Sequence, residues 1–235
     1  MDILAIGAHP DDLELLCAGT LALYRQQGHE VFMCHICDGN KGSMVYSSEE
    51  LVKIRRKETI ESGKLIGAKS IWGGISDGEV VLDLESRIKI IDIIRQTNPD
   101  IVITHHPNDY HSDHINTSRL VFEATYLANL KLWKTNYPAS DKLKLPYLYY
   151  MDTLAGVNFI PAEYVDITKT IDIKVKMMMK MKSQLGWLKK MHNCNAEELI
   201  KTVAKFRGFQ AGVLYAEAFV QQKMYPQGLT KRILP

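Results

Sequence analysis

Histidine and aspartate side chains are concentrated in two short segments of this chain of 235 residues. His-Pro-Asp-Asp at 9–12 directly follows one apolar stretch, and His-Ser-Asp-His at 111–114 closes a polar run that follows another. Imidazoles and carboxylates that crowd together are costly to bury unless a cation or hydrogen bonds compensate for them. A divalent metal ion would satisfy both kinds of group, so the two segments together predict a metal centre.

The two segments contain enough donor groups for a catalytic zinc site. Zinc in such sites typically keeps three protein ligands and leaves the fourth position to water. We assign the three ligands as His9, Asp12 and His114. His111 and His114 are three residues apart, which places both on one face of a first helical turn. Zinc is the favoured ion, although the same ligands accept Fe²⁺ or Co²⁺.

The remaining polar residues of both segments supply proton transfer and charge stabilisation. Adjacent aspartates in an extended turn point in different directions, so Asp11 is free to act as the general base on a metal-bound water. The metal lowers the pKa of that water from ~15.7 towards ~7. His111, when protonated, would stabilise an oxyanion, with its charge held by Asp113 or Asp109. These roles predict the hydrolysis of an amide or an ester.

Two motifs also have alternative interpretations. Asp11 with Glu14 three residues later fits a helix capping box, which would explain one carboxylate without any catalytic role. Cys34 and Cys37 form a Cys-x-x-Cys pair, which could be redox-active or half of a zinc site. Their surrounding sequence is typical of a buried strand and no second pair supplies further ligands, so we interpret both cysteines as core residues.

The segments at 9–12 and 111–114 each lie at the junction between a predicted strand and the predicted helix that follows it. The first two-thirds of the chain alternate β-branched runs with helical patterns, which is typical of a mostly parallel α/β sheet with helices on both faces. The carboxyl edge of such a sheet is where ligands bind. The segment at 168–188, rich in methionine and lysine, is interpreted as an amphipathic helix packed on the domain. The predicted strands are 3–8, 30–37, 69–72, 100–104, 147–151 and 213–220, and the predicted helices are 13–27, 48–66, 84–97, 113–129, 168–188 and 196–212.

Length and composition set further limits. The 235 residues fit a single domain, which we expect to span 1–235, and 46% hydrophobic with 24% charged residues is ordinary for a globular protein. A net charge of +2 gives no electrostatic case for nucleic acid, so we expect a small-molecule partner. No apolar run approaches the ~20 residues that cross a bilayer, and no signal peptide precedes the first strand. These observations predict a cytoplasmic protein without membrane contact.

The combined motifs resemble those of the LmbE-like (PIG-L) family of zinc-dependent N-deacetylases. The resemblance depends on Ala-His-Pro-Asp-Asp-Leu-Glu at 8–14, on His-Ser-Asp-His at 111–114, and on the order of strands and helices between them. It implies a Rossmann-like fold and removal of the acetyl group from a small N-acetylglucosaminyl-type substrate. By position it implies the same ligands, base and oxyanion-stabilising histidine as the residues do by themselves. It also implies a homo-oligomer, either a trimer or a hexamer.

Two shorter matches to the same family concern the substrate. Arg-Arg-Lys-Glu from Arg55 resembles the family's Arg-x-x-Glu, and Ser-Asp-Gly around Asp77 resembles its Pro-Asp-Gly turn, so both residues would contact sugar hydroxyls. A solvated helix face and a plain turn are the structural alternatives. The chain departs from the family pattern at Ser112, where relatives often carry proline, and in the Asp-Gly-Asn-Lys-Gly-Ser loop at 38–43. The second departure leaves the identity of the substrate open.

Two other function classes remain open from the sequence. His9 and Asp11 with a distant His114 also match the two-histidine, one-carboxylate site of non-haem Fe²⁺ oxygenases. That interpretation leaves Asp12 and His111 without roles, and we would expect an all-β host for it rather than alternating strands and helices. The other alternative is a non-catalytic binding or regulatory module that keeps the metal. The presence of every proposed catalytic residue argues against such a module.

Overall fold

The polypeptide folds around one seven-stranded sheet in the computed structural model, which describes residues 1–141, 144–229 and 231–235. The strands are β1 (Asp2–Gly7), β2 (Glu30–Cys37), β3 (Lys69–Ile75), β4 (Ile101–Thr104), β5 (Tyr147–Met151), β6 (Glu163–Asp166) and β7 (Ala216–Gln222). The helices are α1 (Asp12–Leu16), α2 (Ala18–Gln26), α3 (Ser48–Lys64), α4 (Leu84–Thr97), α5 (Ser112–Leu127), α6 (Ile171–Met178), α7 (Lys182–His192) and α8 (Ala196–Ala211). A short 3-10 turn at Leu154–Gly156 follows β5.

The strand order in the sheet is β3-β2-β1-β4-β5-β7-β6. The strands β1 to β5 are parallel, and Ile3 of β1 lies opposite Val31 of β2 on one side and Ile101 of β4 on the other. The strand β7 is antiparallel to both of its neighbours, β5 and β6. The chain order reverses at β1, because β2 and β3 lie to one side of it and β4 to the other. Open α/β sheets bind ligands at the carboxyl edge beside such a reversal.

Alternate residues of the central strand face two separate apolar cores. Ile3 and Ala5 of β1 belong to a core with α1, α2 and the C-terminal helices, whereas Leu4 and Ile6 belong to a core with α4 and α5 on the opposite face. The strand is therefore apolar on both faces, as expected for a parallel sheet that is covered on both sides. The Rossmann-like α/β fold, with a mostly parallel sheet and helices on both faces, is confirmed.

The predicted helix at 13–27 is two helices in the structure, with a break at Cys17, where φ is −141°. Glu217 of β7 explains the break, because its carboxylate accepts hydrogen bonds from the N–H groups of Gly19 and Thr20 at 2.9 and 2.7 Å. These are first-turn donors of α2, which have no partner within the helix. Lys174 of α6 donates to the same carboxylate at 2.5 Å, and both charged residues are buried. This buried cap begins a new helix and ties it to β7 and α6.

Three further elements differ from the prediction. The predicted helix at 168–188 is divided into α6 and α7. The strand β6 is missing from the prediction, because its four residues are too few to show a clear alternating pattern. The last strand lies at Ala216–Gln222 rather than at 213–220. None of the helices in the described parts of the chain combines the length and the apolar character that a bilayer crossing requires.

Replacing Glu217 by alanine removes the buried cap of α2 and leaves the Lys174 ammonium group without its partner. We expect the free energy of unfolding to fall by about 3–5 kcal/mol, because a buried charge that loses its partner is strongly destabilising. Urea unfolding followed by circular dichroism measures the change. The matched control is Glu197→Ala, which breaks an exposed pair with Lys201 and should leave the midpoint unchanged. Equal midpoints for Glu217→Ala and the wild type would contradict this role.

Candidate active site and metal centre

The two segments rich in histidine and aspartate lie side by side at the carboxyl edge of the sheet. The turn that carries His9 follows β1, and the loop that carries His111 follows β4. The two strands are parallel neighbours, with Ile6 opposite Thr104 near their ends. Their carboxyl ends therefore meet at the reversal of the strand order, although they are far apart in the sequence.

The side chains of His9, Asp12 and His114 converge on one point. Nδ1 of His9 lies 3.2 Å from Nε2 of His114, and oxygen atoms of Asp12 lie 3.6 and 3.4 Å from these two nitrogens. Zinc bonds of ~2.0–2.1 Å at tetrahedral angles set neighbouring ligand atoms about 3.3 Å apart. The observed spacings are close to this value, with Oδ2 of Asp12 facing His9 and Oδ1 of Asp12 facing His114, so the three side chains could share one ion through the two carboxylate oxygens.

The electrostatics of the cluster favour a cation. Although burial disfavours the protonated form of His114, the carboxylates of Asp12 and Asp109 raise its pKa to about 9. Burial also works against a charged His9, yet hydrogen bonds to Asp113 and Asp12 hold the pKa of His9 well above its ordinary value. Both shifts report a negative potential that draws positive charge into the cluster. A divalent metal ion would supply that charge.

Carboxylates hold both imidazoles in place. Oδ2 of Asp113 lies 3.0 Å from Nε2 of His9, and Oδ2 of Asp109 lies 3.1 Å from Nδ1 of His114. Such pairs fix the ring orientation and the tautomer of a histidine that binds a metal through its other nitrogen. The sequence predicts that Asp113 or Asp109 holds the charge of His111. Instead, each carboxylate orients one of the predicted ligands.

His111 is the N-cap residue of α5, and this role decides which ring nitrogen carries the proton. Its Nδ1 accepts a hydrogen bond from the backbone N–H of Asp113 at 3.2 Å, so the proton of the neutral ring lies on Nε2. Burial and the nearby positive charges of His9 and His114 lower the pKa of His111. The geometry therefore favours a neutral Nε2–H donor over the charged imidazole that the sequence predicts.

Asp11 lies beside the ligand cluster in an unusual backbone conformation, with φ of 136°. Its side chain does not cap α1, so the capping-box interpretation is wrong, and Glu14 instead accepts a hydrogen bond from Ser62 at 2.7 Å. Burial, reinforced by the negative charge of Asp12, raises the pKa of Asp11 to about 8. A carboxyl group with a pKa near neutrality is well suited to take up and release a proton during a reaction.

His105 is a member of the cluster that the sequence does not identify. Its Nε2 lies 3.1 Å from Oδ2 of Asp12, and its ring stacks on that of His114 with centroids 3.9 Å apart. Burial lowers the pKa of His105 to about 4, so the ring is neutral. Its ring, Asp12 and His114 form a second group of donors close enough to share an ion. Its position directly after β4 could have identified His105 in the sequence. The adjacent His106 leaves open which of the two histidines joins the cluster.

Arg55 and Asp77 line the cavity at this site, and their hydrogen bonds build its rim. The Arg55 guanidinium is 1% exposed and donates to the carbonyl of Gly42 at 2.8 Å. The Asp77 carboxylate accepts hydrogen bonds from the N–H groups of Gly39 and Lys41 at 2.9 and 3.2 Å. A Cβ atom at Gly39 would lie 2.3 Å from the Arg55 side chain, so glycine is required there. Both side chains scaffold the loop after β2, and their contact with sugar hydroxyls stays a prediction.

The cavity has a volume of about 520 Å³, and α7 contributes a second residue that the sequence does not identify. Nε2 of Gln184 donates to the carbonyl of Pro10 at 2.9 Å, while its Oε1 accepts from the Arg55 guanidinium. This buried side chain links the turn that carries Asp11 to the loop after β2. No spacing in the sequence points to Gln184, because its role exists only through contacts between distant segments.

The amino-acid sequence of this chain matches a known protein family. Residues 4–125, a little over half of the chain, match the sequence model of the PIG-L family, described as GlcNAc-PI de-N-acetylase. The chain belongs to the PIG-L family. The matched residues include both segments that supply the cluster, and the resemblance predicted from the motifs is confirmed.

Curated relatives of the chain include a hydratase, a deacetylase and an amidase. The 4-oxalmesaconate hydratase of Pseudomonas putida is 24% identical over 191 residues, which cover 77% of this chain and 73% of the relative. The uncharacterized deacetylase YaiS of Escherichia coli is 33% identical over 133 residues, covering 54% of this chain and 66% of the relative. The mycothiol S-conjugate amidase of Streptomyces coelicolor is 27% identical over 148 residues, covering 52% of this chain and 50% of the relative.

Solved structures similar to this chain likewise include a deacetylase and a hydratase. The N,N'-diacetylchitobiose deacetylase from Pyrococcus horikoshii has a TM-score of 0.79 and 28% identity, covering 94% of this chain and 83% of that chain. GalB, the 4-carboxy-2-hydroxymuconate hydratase from Pseudomonas putida, has a TM-score of 0.82 at 22% identity and covers 99% of this chain and 100% of that chain, a likeness that shows the fold. Together these relatives support an enzymatic function for this member of the family.

Replacing His114 by alanine removes one of the three converging donors. We expect zinc affinity to fall by more than about 100-fold, because loss of even a residue that only orients a ligand weakens metal binding by 10–100-fold. Competition of the purified protein with a chromophoric zinc chelator measures the affinity. His29→Ala is the matched control, since this ring lies beside the N-terminal amine and outside the cluster. Unchanged zinc affinity in His114→Ala would show that the ligand set is wrong.

Proposed function

We propose that this chain hydrolyses the N-acyl amide bond of a small amino-sugar-type molecule, with acetyl as the simplest acyl group. The observation that carries this proposal is the convergence of donor atoms from His9, Asp12 and His114 within 3.2–3.6 Å, beside an aspartate that is left out of the set. The site therefore combines a place for a metal ion with a separate carboxylate, Asp11, for proton transfer.

A divalent cation held by His9, Asp12 and His114, which we propose to be zinc, would supply a Lewis acid that polarises the amide carbonyl and lowers the pKa of water. Asp11 takes one proton from the attacking water as the new C–O bond forms. It delivers this proton to the amide nitrogen as the C–N bond breaks, and the second proton leaves with the carboxylic acid. The products are a free amine and the acid derived from the acyl group.

The other polar residues of the cluster hold this geometry during the reaction. His111 donates its Nε2–H to the carbonyl oxygen as that oxygen gains negative charge. Asp113 and Asp109 keep the rings of His9 and His114 in the orientation that metal binding requires. Because these contacts exist before substrate binds, little reorganisation is needed in the transition state.

The assignment of an amino-sugar-type substrate is supported by the relatives and by the rim of the cavity. The relatives include a deacetylase of N,N'-diacetylchitobiose and an amidase of mycothiol S-conjugates. Lys41, Arg55 and Asp77 line the cavity, and the two more exposed groups, the Lys41 ammonium and the Asp77 carboxylate, are of the kind that hydrogen-bonds to sugar hydroxyls. A small neutral substrate of this type also agrees with the near-neutral net charge of the chain.

Hydration of an unsaturated acid is the second candidate function. It is favoured by the 24% identity to a hydratase over 77% of the chain, and the same base and metal would serve to activate water. A carboxylic acid such as the one named for GalB requires free cationic partners. Among the described residues that line the cavity, the permanent cations are Lys41 and Arg55, and each faces a carboxylate, of Glu79 at 2.7 Å and of Asp77 at 3.8 Å. This pairing favours the amide substrate.

The test compares the zinc-loaded wild type with Asp11→Asn on N-acetylglucosaminides, with release of the free amine as the readout. We expect kcat to fall by at least about 100-fold in the variant while its zinc content stays unchanged, because general base catalysis contributes 10²–10⁴-fold. The matched control is Asp141→Asn, since this exposed residue lies outside the cavity and pairs with Lys131. Its activity should equal that of the wild type.

Three further measurements on the same proteins would distinguish the hydratase, the oxygenase and the non-catalytic module. Wild-type protein that releases no amine but removes the absorbance of a conjugated unsaturated acid would be a hydratase. Oxygen consumption by the Fe²⁺-loaded protein would indicate the oxygenase. A full biological function in Asp11→Asn would indicate a non-catalytic module, and full amide hydrolysis by that variant would overturn the assigned base.

A further inference from the structure

The cavity beside the metal centre has an apolar wall, which the proposed reaction on an acetyl group does not use. Five leucine side chains form this wall: Leu15, Leu16, Leu154, Leu188 and Leu199. Leu16 and Leu188 also belong to the apolar core that contains Ile3 of β1. Leu15, Leu154 and Leu199 are only partly buried. Apolar surface that lines a concave site gains free energy when an apolar part of a ligand displaces water from it. We refer to these five residues as the leucine wall.

Leu154 and Leu199 of the leucine wall come from the other half of the sheet than the polar rim, whereas Leu188 lies on α7, one turn after Gln184, which contacts Arg55. The rim residues Lys41 and Asp77 follow β2 and β3, which lie to one side of β1 in the sheet. Leu154 follows β5, and Leu199 belongs to α8, which packs on β7 and β6 at the other side. The α1 residue Leu16 is four positions from the ligand Asp12, so the wall begins beside the metal centre.

We propose that the leucine wall binds the acyl chain of the substrate, and that the preferred acyl group is an aliphatic chain longer than acetyl. This inference rests on the proposed amide hydrolysis. In a planar trans amide, the acyl chain and the sugar carbon on the nitrogen lie on opposite sides of the C–N bond. When the sugar hydroxyls occupy the polar rim, the acyl chain therefore extends towards the part of the leucine wall that Leu154 and Leu199 form. An acetyl group would present only one methyl to this wall, and most of the exposed surface of Leu15, Leu154 and Leu199 would stay in contact with water.

The first experiment measures hydrolysis of N-acetyl-, N-butanoyl- and N-hexanoylglucosamine by the zinc-loaded full-length chain. Each additional buried methylene contributes roughly three- to fourfold to binding. We therefore expect kcat/KM to rise by at least about tenfold from acetyl to hexanoyl, mainly through a lower KM. Release of glucosamine is the same readout for all three substrates, so the comparison does not depend on the acyl group.

Variants of the leucine wall test its role in this preference. Leu199→Ser and Leu154→Ser should each lower the ratio of hexanoyl to acetyl kcat/KM by at least about fivefold, because a polar hydroxyl replaces apolar contact surface. Leu132→Ser is the matched control, since this leucine is 89% exposed and lies outside the cavity. Its ratio should equal that of the wild type. Thermal melting of each variant shows whether it is folded. If one of the two variants does not fold, the other still tests the role of the wall.

The results separate this inference from the proposed function. Hydrolysis of the acetyl substrate with equal or slower hydrolysis of the longer chains would overturn the acyl preference and leave the amide hydrolysis standing. No hydrolysis of any N-acylglucosamine would overturn both. A comparison of methyl and octyl N-acetylglucosaminides covers the other possible source of an apolar chain. Faster hydrolysis of the octyl glycoside that Leu199→Ser abolishes would assign the wall to the glycosidic substituent and overturn our proposal.

Discussion

The packing of two imidazoles and a carboxylate into a space about as wide as one metal coordination sphere is the constraint on which the rest of the structure depends. Electron-rich atoms of His9, Asp12 and His114 lie 3.2–3.6 Å apart, and such a group is stable only when hydrogen bonds or a cation compensate for its burial. The sheet supplies the framework, because the parallel neighbours β1 and β4 deliver both segments to one edge. Behind the rings, Asp113 is hydrogen-bonded to His9, and the Asp109 carboxylate lies 3.1 Å from Nδ1 of His114.

The same constraint explains the unusual backbone of the turn after β1. A φ of 136° at Asp11 is unfavourable for an L-residue, with a cost on the order of 1–3 kcal/mol, so surrounding contacts must hold it. Asp12 closes the turn by accepting a hydrogen bond from the N–H of His9 at 2.6 Å, and Gln184 fixes the carbonyl of Pro10. Asp12 therefore belongs to both the turn and the histidine cluster, so the position of Asp11, the proposed base, is coupled to that of His9 and His114, the proposed ligands.

The sequence predicts those parts of the site that depend on local order along the chain. Strands and helices alternate with clear periods, so the fold and the sheet edge that carries His9 and His114 follow from the pattern. The missed features depend on contacts between distant segments. The break before α2 requires Glu217 from the last strand, and the role of Gln184 requires α7 to cross the turn after β1. The partner of Asp113 is likewise a residue of the other segment, His9, which no spacing rule reveals.

Gln184 and most of the leucine wall lie outside the part of the chain that matches the family model. The family match ends at residue 125, whereas Leu154, Leu188 and Leu199 all follow it in the chain. The cavity is thus lined from two parts of the chain, because the part that matches the family model supplies His9, Asp12 and His114 and the part after it supplies three of the five leucines. Substitutions in the helices α7 and α8 can therefore reshape the apolar side of the cavity without changing any residue of the histidine and aspartate cluster.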